Sequence, residues 1–396
     1  MTRLPFSPEL DLATEFNRLR EQSPVARVTV PSDDSMWLVS RHSDVRTVYT
    51  DPRFSRDMTD PGCPRLVSGA DYSANPLSMV NMEGAAHRER RRPVAAHLTP
   101  RRIEALRAPT EALAERLVSE MDSGNQPVDF VESFAMPLPA ISSALVAGVP
   151  EQDYGFFRSD VWALPLPDQY SQAEVERATA LVYQYTSRLA ELRTAEPGQD
   201  MTSALLDEVA AGRFPAAHLP VVLMEVMFAG MLNTRSVLCS ALLVLLRNPD
   251  WFRALAADDD FTAAFTEEAL RCFPHPITGL PRLALADVEL SGVLIREGEA
   301  VLPALVAANR DPEVFPDPDV FDPFRTTAGH LTFGHGAHHC IGSALARMQL
   351  HVAFTVLARR LPDLRLSVPE EELAWRSTLL DHCVTSLPLS WNTTQA

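Results

Sequence analysis

Between residues 330 and 347 the chain reads HLTFGHGAHHCIGSALAR, and no other stretch restricts the fold so tightly. Gly334, Gly336 and Gly342 bracket Cys340, and glycines at that density admit backbone conformations and close approaches that a Cβ would block. SALARMQLHVAFTVLARRL follows at once with helical periodicity. The sequence therefore predicts a thiol on a glycine-rich loop at a helix N-terminus, where free N–H groups and the helix dipole favour a thiolate.

Taken alone, these residues leave three readings of Cys340 open: a small buried side chain, a zinc ligand beside His330, His335, His338 and His339, or a heme ligand. Adjacent His-His-Cys side chains diverge, and no CxxC or HxxxH pairing completes a tetrahedron, which weighs against zinc. The other cysteines, at 63, 239, 272 and 383, are scattered and the total of five is odd. That pattern predicts no disulfide framework and a reducing, cytoplasmic setting.

Helical periodicity dominates the rest of the chain. LATEFNRLREQ, RIEALRAPTEALAERLVSEM, SALLVLLRN and FTAAFTEEALRCF space apolar residues by three and four. Strand signals are short: VARVTV and MWLVSR near the start, DVELSGVLI at 287–295, and LRLSVP near the end. The expected fold is mainly α with small β-sheets, in a single domain over 1–396. Proline clusters at 56–76 and 314–327 predict long connections, since Asp-Pro steps interrupt helix and central strand alike. A net charge of −17 argues against nucleic acid and anionic membranes as partners. The N-terminus lacks the basic flank and apolar core of a signal peptide, and the apolar segment 219–232 carries Glu225 and is too short to span a bilayer, so it reads as a buried helix.

FGHGAHHCIG resembles the heme-binding loop of the cytochrome P-450 family, Phe-Gly-x-Gly-x-(His or Arg)-x-Cys-x-Gly, through Phe333, Gly334, Gly336, His338, Cys340 and Gly342. The resemblance runs from about residue 12 to 391 and looks most like the soluble bacterial, actinomycete-like branch. It implies heme b buried between a distal helix and the helix after the Cys340 loop, with Cys340 as the iron ligand and His338 on a propionate. His87 and Arg91, four apart on a predicted helix, match the family's propionate clamp, and Arg282 its third propionate contact. Glu268 and Arg271 match the ExxR ion pair. The arginine that usually completes that pair into a triad is replaced by Val320, so the triad is expected to be incomplete unless Arg310 compensates.

The segment 219–247 matches the family's distal helix, whose pattern is Ala-Gly-x-(Asp or Glu)-Thr-(Thr or Ser). Here it reads Ala229, Gly230, Met231, Leu232, Asn233, Thr234. Gly230 in a helix interior suggests a local widening. The acid and alcohol that carry protons in the family are Leu232 and Asn233. Leucine cannot ionise, and an asparagine amide can donate a hydrogen bond to dioxygen without titrating near neutral pH. Thr234 is rotated by about 100° from Asn233, and Glu225 lies more than two turns upstream. Ala229, Gly230, Asn233 and Thr234 are the candidate catalytic residues.

The implied activity is oxidation of a small organic molecule, a secondary-metabolite intermediate, with dioxygen and two electrons from NAD(P)H through ferredoxin reductase and ferredoxin. Oxidative coupling or cyclisation without oxygen insertion is the alternative that Leu232 and Asn233 suggest. A non-catalytic heme sensor or carrier is the alternative from another class. Candidate pocket residues are Leu66, Val67, Trp162, Leu164, Met231, Ile277, Thr278 and Leu379, a largely apolar set. Arg88, Arg90, Arg92, Arg101 and Arg102 form a basic cluster on which an acidic ferredoxin could dock.

Overall fold

The computed structural model describes residues 2–3, 13–60, 62–66, 75–158, 171–326, 328–377 and 382–392. Six helices frame the candidate site: α1 (His42–Thr50), α2 (Gly84–Ala95), α3 (Pro137–Ala147), α4 (Leu219–Arg247), α5 (Asp259–Cys272) and α6 (Ser343–Arg360). The 29-residue α4 is apolar on nearly every face, which places it at the centre of the fold. Around it, Ala140 of α3, Phe265 of α5 and Phe354 of α6 are fully buried in the main core. Among the described helices, only 216–247 is long and apolar enough to cross a membrane. Its most apolar window is 78% buried inside the fold, as expected of a core helix.

One expected helix divides. RIEALRAPTEALAERLVSEM spans the end of Pro100–Glu104 and all but the last residue of Arg107–Asp122. Pro109 has no N–H and its ring clashes with the carbonyl four residues back, so it is tolerated only in the first turn of a helix that starts anew at Arg107.

The main sheet combines β1 (Thr2–Arg3), β2 (Val25–Thr29), β3 (Ser35–Val39), β4 (Phe54–Ser55), β5 (Arg282–Ala284) and β6 (Ala300–Pro303) in the order β1-β2-β3-β6-β5-β4. β2 and β3, the two strands expected near the start, pair antiparallel with Val25 opposite Val39. β6 lies parallel to β3 with Trp37 opposite Val301, a pairing across more than 260 residues. β5 is antiparallel to both β6 and β4, and this carries Arg282 to the end of the sheet beside Ser55 and Arg56. The segment 287–295, read as strand, forms a hairpin, and LRLSVP contributes Arg365–Leu366 to a small sheet with Pro388–Ser390 and Val128–Asp129.

Candidate functional site

The Cys340 loop is a rigid bend. Gly334 and Gly336 have φ of +68° and +73°, the left-handed region that favours glycine. A Cβ on Gly336 would lie 2.7 Å from the Tyr49 carbonyl oxygen at the end of α1, so the loop is pressed against that helix. The Cys340 N–H donates to Phe333 O at 2.8 Å and closes the bend, while Gly342 caps α6. Asn309, fully buried, ties the loop to α5: its Oδ1 accepts from Leu331 N at 2.6 Å, and its Nδ2 donates to Thr332 Oγ1 at 2.8 Å and to Arg271 O at 3.2 Å.

Cys340 has an exposed surface, yet burial pushes its thiol up. Its sulfur is thus accessible yet ringed by protein. The N–H of Gly342 and the guanidinium groups of Arg91 and Arg347 pull the thiol down without overcoming that burial. Burial thus opposes the helix-end N–H and the two guanidinium groups at this sulfur. A cation bound to the sulfur would supply the missing stabilisation.

Around the loop, α1, α2 and β5 assemble a cationic nest. His87 on α2 is buried and stacks on His338 with centroids 4.1 Å apart and planes at 20°. Burial, with the charges of His338 and Arg91, pushes His87 down to about 4, so it is uncharged at neutral pH. Arg91, one turn on, donates to His339 O. Arg282 is 4% exposed and covers the Tyr49 ring at 5.4 Å. Its Nε has no hydrogen-bond partner, and no ion pair satisfies it among the described residues. Sequence reasoning missed Arg56, Glu83 and Tyr49. Arg56 is 2% exposed and acts on both His338 and Tyr49, and burial pushes the Tyr49 phenol up to about 12. Glu83 accepts from Arg56 N at 2.5 Å and lies 3.4 Å from His338 Nε2. Burial alone would raise its carboxyl, but His338 and the Arg56 N–H bring it down to about 2. His87, Arg282 and His338 thus face the Glu83 carboxylate, with Arg56 beside His338 and Arg91 beside His87 and Cys340, in a protein of net charge −17.

Glu268 and Arg271 form a bidentate pair at 2.7 Å and 2.7 Å, both fully buried. The expected gap in the triad is not there. Arg325 reaches Glu268 Oε1 at 3.3 Å, and Asp322 N donates to the same oxygen at 2.9 Å. Val320 is exposed and contributes its carbonyl, which accepts from Arg325 and Arg271 at 3.0 and 3.4 Å. Arg310 turns elsewhere, toward Asp319 at 3.5 Å and Val306 O at 3.4 Å. The third arginine lies five residues beyond Val320, because a turn at Asp322 folds the chain back onto α5.

Next to Glu268, Glu267 joins α5 to the loop. It accepts from Arg347 Nη2 of α6 at 3.0 Å and pairs with His330 at 3.2 Å, and the Arg347 guanidinium lies 4.6 Å over the Phe333 ring. Burial raises this carboxyl, but the bonds to His330 and Arg347 prevail and bring it to about 2. A depressed carboxylate stabilises the fold above its unfolded value of about 4.5 and loses that effect as pH falls toward 2. Glu267→Gln is therefore expected to lower stability by about 1 kcal/mol at pH 7, given the partial exposure of the pair. In urea unfolding the difference from wild type should narrow between pH 4.5 and 3; a constant gap would contradict the assignment.

α4 opens on one stripe. Val226, Gly230 and Asn233 are partly exposed and Ala229 is exposed, while Met227, Phe228, Met231 and Leu232 are buried. The helix is continuous through Gly230, where a Cβ would lie 3.6 Å from Ser143 Oγ. Asn233 Nδ2 donates to Ala229 O at 2.6 Å; the reversed amide would set two oxygens together. One amide hydrogen and Oδ1 remain for the open side. Thr234, grouped with Asn233 in the sequence reading, points away: it is 3% exposed and donates to Gln349 Oε1 of α6 at 3.2 Å. Gln349 in turn bonds Ser142 Oγ of α3 at 2.8 Å. Met231 also turns into the core, fully buried, because only positions near 226, 229, 230 and 233 share the open face. Leu66 and Ile277 pack together in a smaller core, and Thr278 is fully buried with no partner for its hydroxyl. Val67, Trp162, Leu164 and Leu379 lie outside the described residues.

The chain is also similar to known proteins over nearly its whole length. The cytochrome P450 family model matches residues 142–373. Cytochrome P450-SU2 of Streptomyces griseolus is 38% identical over 389 residues, covering 98% of this chain and 94% of that protein. Mycinamicin IV hydroxylase/epoxidase of Micromonospora griseorubida is 36% identical, covering 96% of each. The crystal structure of cytochrome P450 MoxA from Nonomuraea recticatena superimposes with a TM-score of 0.90 at 32% identity and covers 100% of both chains. The chain belongs to the cytochrome P450 family and is an oxidoreductase of the monooxygenase class. Membership implies heme b, and the residues present fit it: an unpartnered buried Arg282 Nε and an excess of basic groups suit two carboxylates, and an accessible sulfur ringed by protein suits a metal.

Proposed function

We propose that this protein, acting as a single heme-thiolate domain in the cytoplasm, oxidises a small organic molecule of secondary metabolism with dioxygen and electrons delivered by a ferredoxin system. When bound, heme b supplies dioxygen activation and one-electron chemistry. Cys340 would hold its iron, and His87, Arg91, Arg282 and His338 would hold its propionates, with Arg56 as an additional cation. The observation that carries the reading is the buried, unpartnered Arg282 Nε beside that cationic nest and the accessible, protein-ringed Cys340. Arg88, Arg92, Arg101 and Arg102 are exposed and available to an acidic ferredoxin, whereas Arg90 is turned inward over Phe214 at 5.0 Å.

The open stripe of α4 would wall the substrate chamber. On it, Asn233 stands where the family has its alcohol, and Leu232 is buried in the core where the family has its acid. Neither takes up and releases a proton near neutral pH, so proton supply falls to water or to the substrate. That observation favours a second reading, coupling or ring closure without oxygen insertion. Turnover with ferredoxin, its reductase and isotopically labelled dioxygen separates the two: labelled product means insertion, unlabelled cyclised product means coupling. Asn233→Thr, which restores a hydroxyl to the open face, is expected to raise label incorporation per electron pair several-fold, a fraction of the roughly 10²–10⁴ that a placed acid contributes. An unchanged ratio would remove Asn233 from the proton route.

A further inference from the structure

α4 is apolar along most of its length, yet beyond Asn233 it buries two hydroxyls, Ser236 and Ser240. At about 100° per residue, Ser236 lies roughly 60° from Asn233 around the helix and Ser240 roughly 20°, while Val226 and Ala229 lie within about 40°. The stripe that is open at Asn233 therefore continues past it as a polar edge. That edge meets a cavity of 20 Å³ between α4, the turn after α5 and the strand His382–Val384, whose polar lining is Ser236, Ser240, Cys272, His275, Arg310 and His382. An ordered water needs about 10–15 Å³ and two to four polar partners, and this space offers both.

Two of these groups are of the type that exchanges protons near neutral pH. Burial pushes the Cys272 thiol up to about 12, so it keeps its proton. Arg310, 3.5 Å from Asp319, and Arg235, which donates to Ser236 Oγ at 3.3 Å, keep their charge. His275 and His382 remain, and imidazole is the side chain that serves as a proton shuttle. His382 stacks on Trp375 with centroids 5.1 Å apart and planes at 25°, and its strand pairs with Trp375–Ser377. His275 stands three residues beyond Cys272, the last residue of α5. Serine hydroxyls both donate and accept, so they pass a proton without titrating. An apolar residue at 236 or 240 would pack there without the cost of burying a hydroxyl, and the serines are what make this side of the helix polar.

We propose that water in this cavity, bonded by Ser236, Ser240, His275 and His382, is the route by which protons reach the open face at Asn233. It takes the place of the acid and alcohol that Leu232 and Asn233 displace. The proposal rests on the reading of that face as the wall of the chamber where dioxygen is reduced. Insertion of one oxygen atom takes up one dioxygen, two electrons and two protons and releases one water; coupling takes up the same, removes two hydrogens from the substrate and releases two waters. On either course each proton leaves an imidazolium and passes along water held by the two hydroxyls. It arrives on water bonded to the Asn233 amide, one helical turn from Ser236, and the imidazole regains a proton from solvent.

Two measurements on the heme-loaded protein test this. A high-resolution crystal structure is expected to show water within hydrogen-bond distance of Ser240 Oγ and an imidazole, and to lose it in the double variant Ser236→Ala, Ser240→Val. The second measurement is dioxygen-dependent NADPH consumption with a ferredoxin and its reductase, without added substrate, in H2O and in D2O. Wild type is expected to slow about twofold in D2O. The serine double variant and His275→Gln with His382→Gln are each expected to lose about tenfold in rate, a modest part of the roughly 10²–10⁴ that a placed acid contributes. Ser240→Thr, which keeps a hydroxyl, should stay near wild type. Reduction of the heme by ferredoxin under carbon monoxide should be unchanged in all of them, whereas a merely structural role would slow it too. A cavity that is dry or holds an anion, a wild type indifferent to D2O, or variants at the wild-type rate overturn the relay alone. A holoprotein that consumes no dioxygen overturns the proposed function together with the relay.

Discussion

Cys340→His is expected to abolish the thiolate-type absorption of the reduced, carbon monoxide-bound holoprotein while leaving the fold intact. The loop is shaped by its glycines, by the bond from Cys340 N to Phe333 O and by Asn309, none of which involves the sulfur. Because none of those contacts uses the sulfur, the variant should keep the loop and fold as wild type does, which its thermal midpoint reads. The spectral change, in contrast, should be complete, since imidazole is a neutral nitrogen ligand and cannot reproduce a thiolate donor. Persistence of the thiolate band in the variant would place the iron ligand elsewhere.

The second large effect is expected at Glu268. Its carboxylate, fully buried, is satisfied by Arg271, Arg325 and the Asp322 N–H. Glu268→Gln leaves two guanidinium groups facing a neutral amide, and removal of one member of a buried pair costs about 3–5 kcal/mol. Urea unfolding should register that loss. A double-mutant cycle should then find coupling of about 1 kcal/mol or more between Glu268 and Arg325, and near zero between Glu268 and Arg310. The reverse result would restore Arg310 as the third member.

What could be read from the sequence was local. The Cys340 loop, the Glu268/Arg271 spacing and the His87/Arg91 spacing are set within a few residues, and the structure places each on the elements expected. What escaped depends on distant pieces meeting. Arg325 was hidden because the turn at Asp322 shifts it five residues from the position where a fixed pattern looks for it; asking which arginines the proline-rich connection could fold back onto α5 would have raised it. Tyr49, Arg56 and Glu83 come from α1, the end of β4 and the start of α2, and meet the loop only after the parallel pairing of β3 with β6 positions β5. Thr234 and Met231 were misplaced for a simpler reason. One residue on a helix turns a side chain by about 100°, and the sequence did not say which stripe of α4 is open.

Asn309 carries a consequence for how the loop moves. A single amide holds Leu331, Thr332 and the last turn of α5 together in a buried setting. To open the loop is to take the Thr332 hydroxyl away from the Leu270 carbonyl of that helix, beside the fully buried Glu268 and Arg271. Loops commonly open at little free-energy cost, but this one belongs to the same cooperative unit as the core helix and opens only when that unit does. The cradle should keep its shape on timescales that would let ordinary surface loops exchange, and a cofactor would meet it already formed.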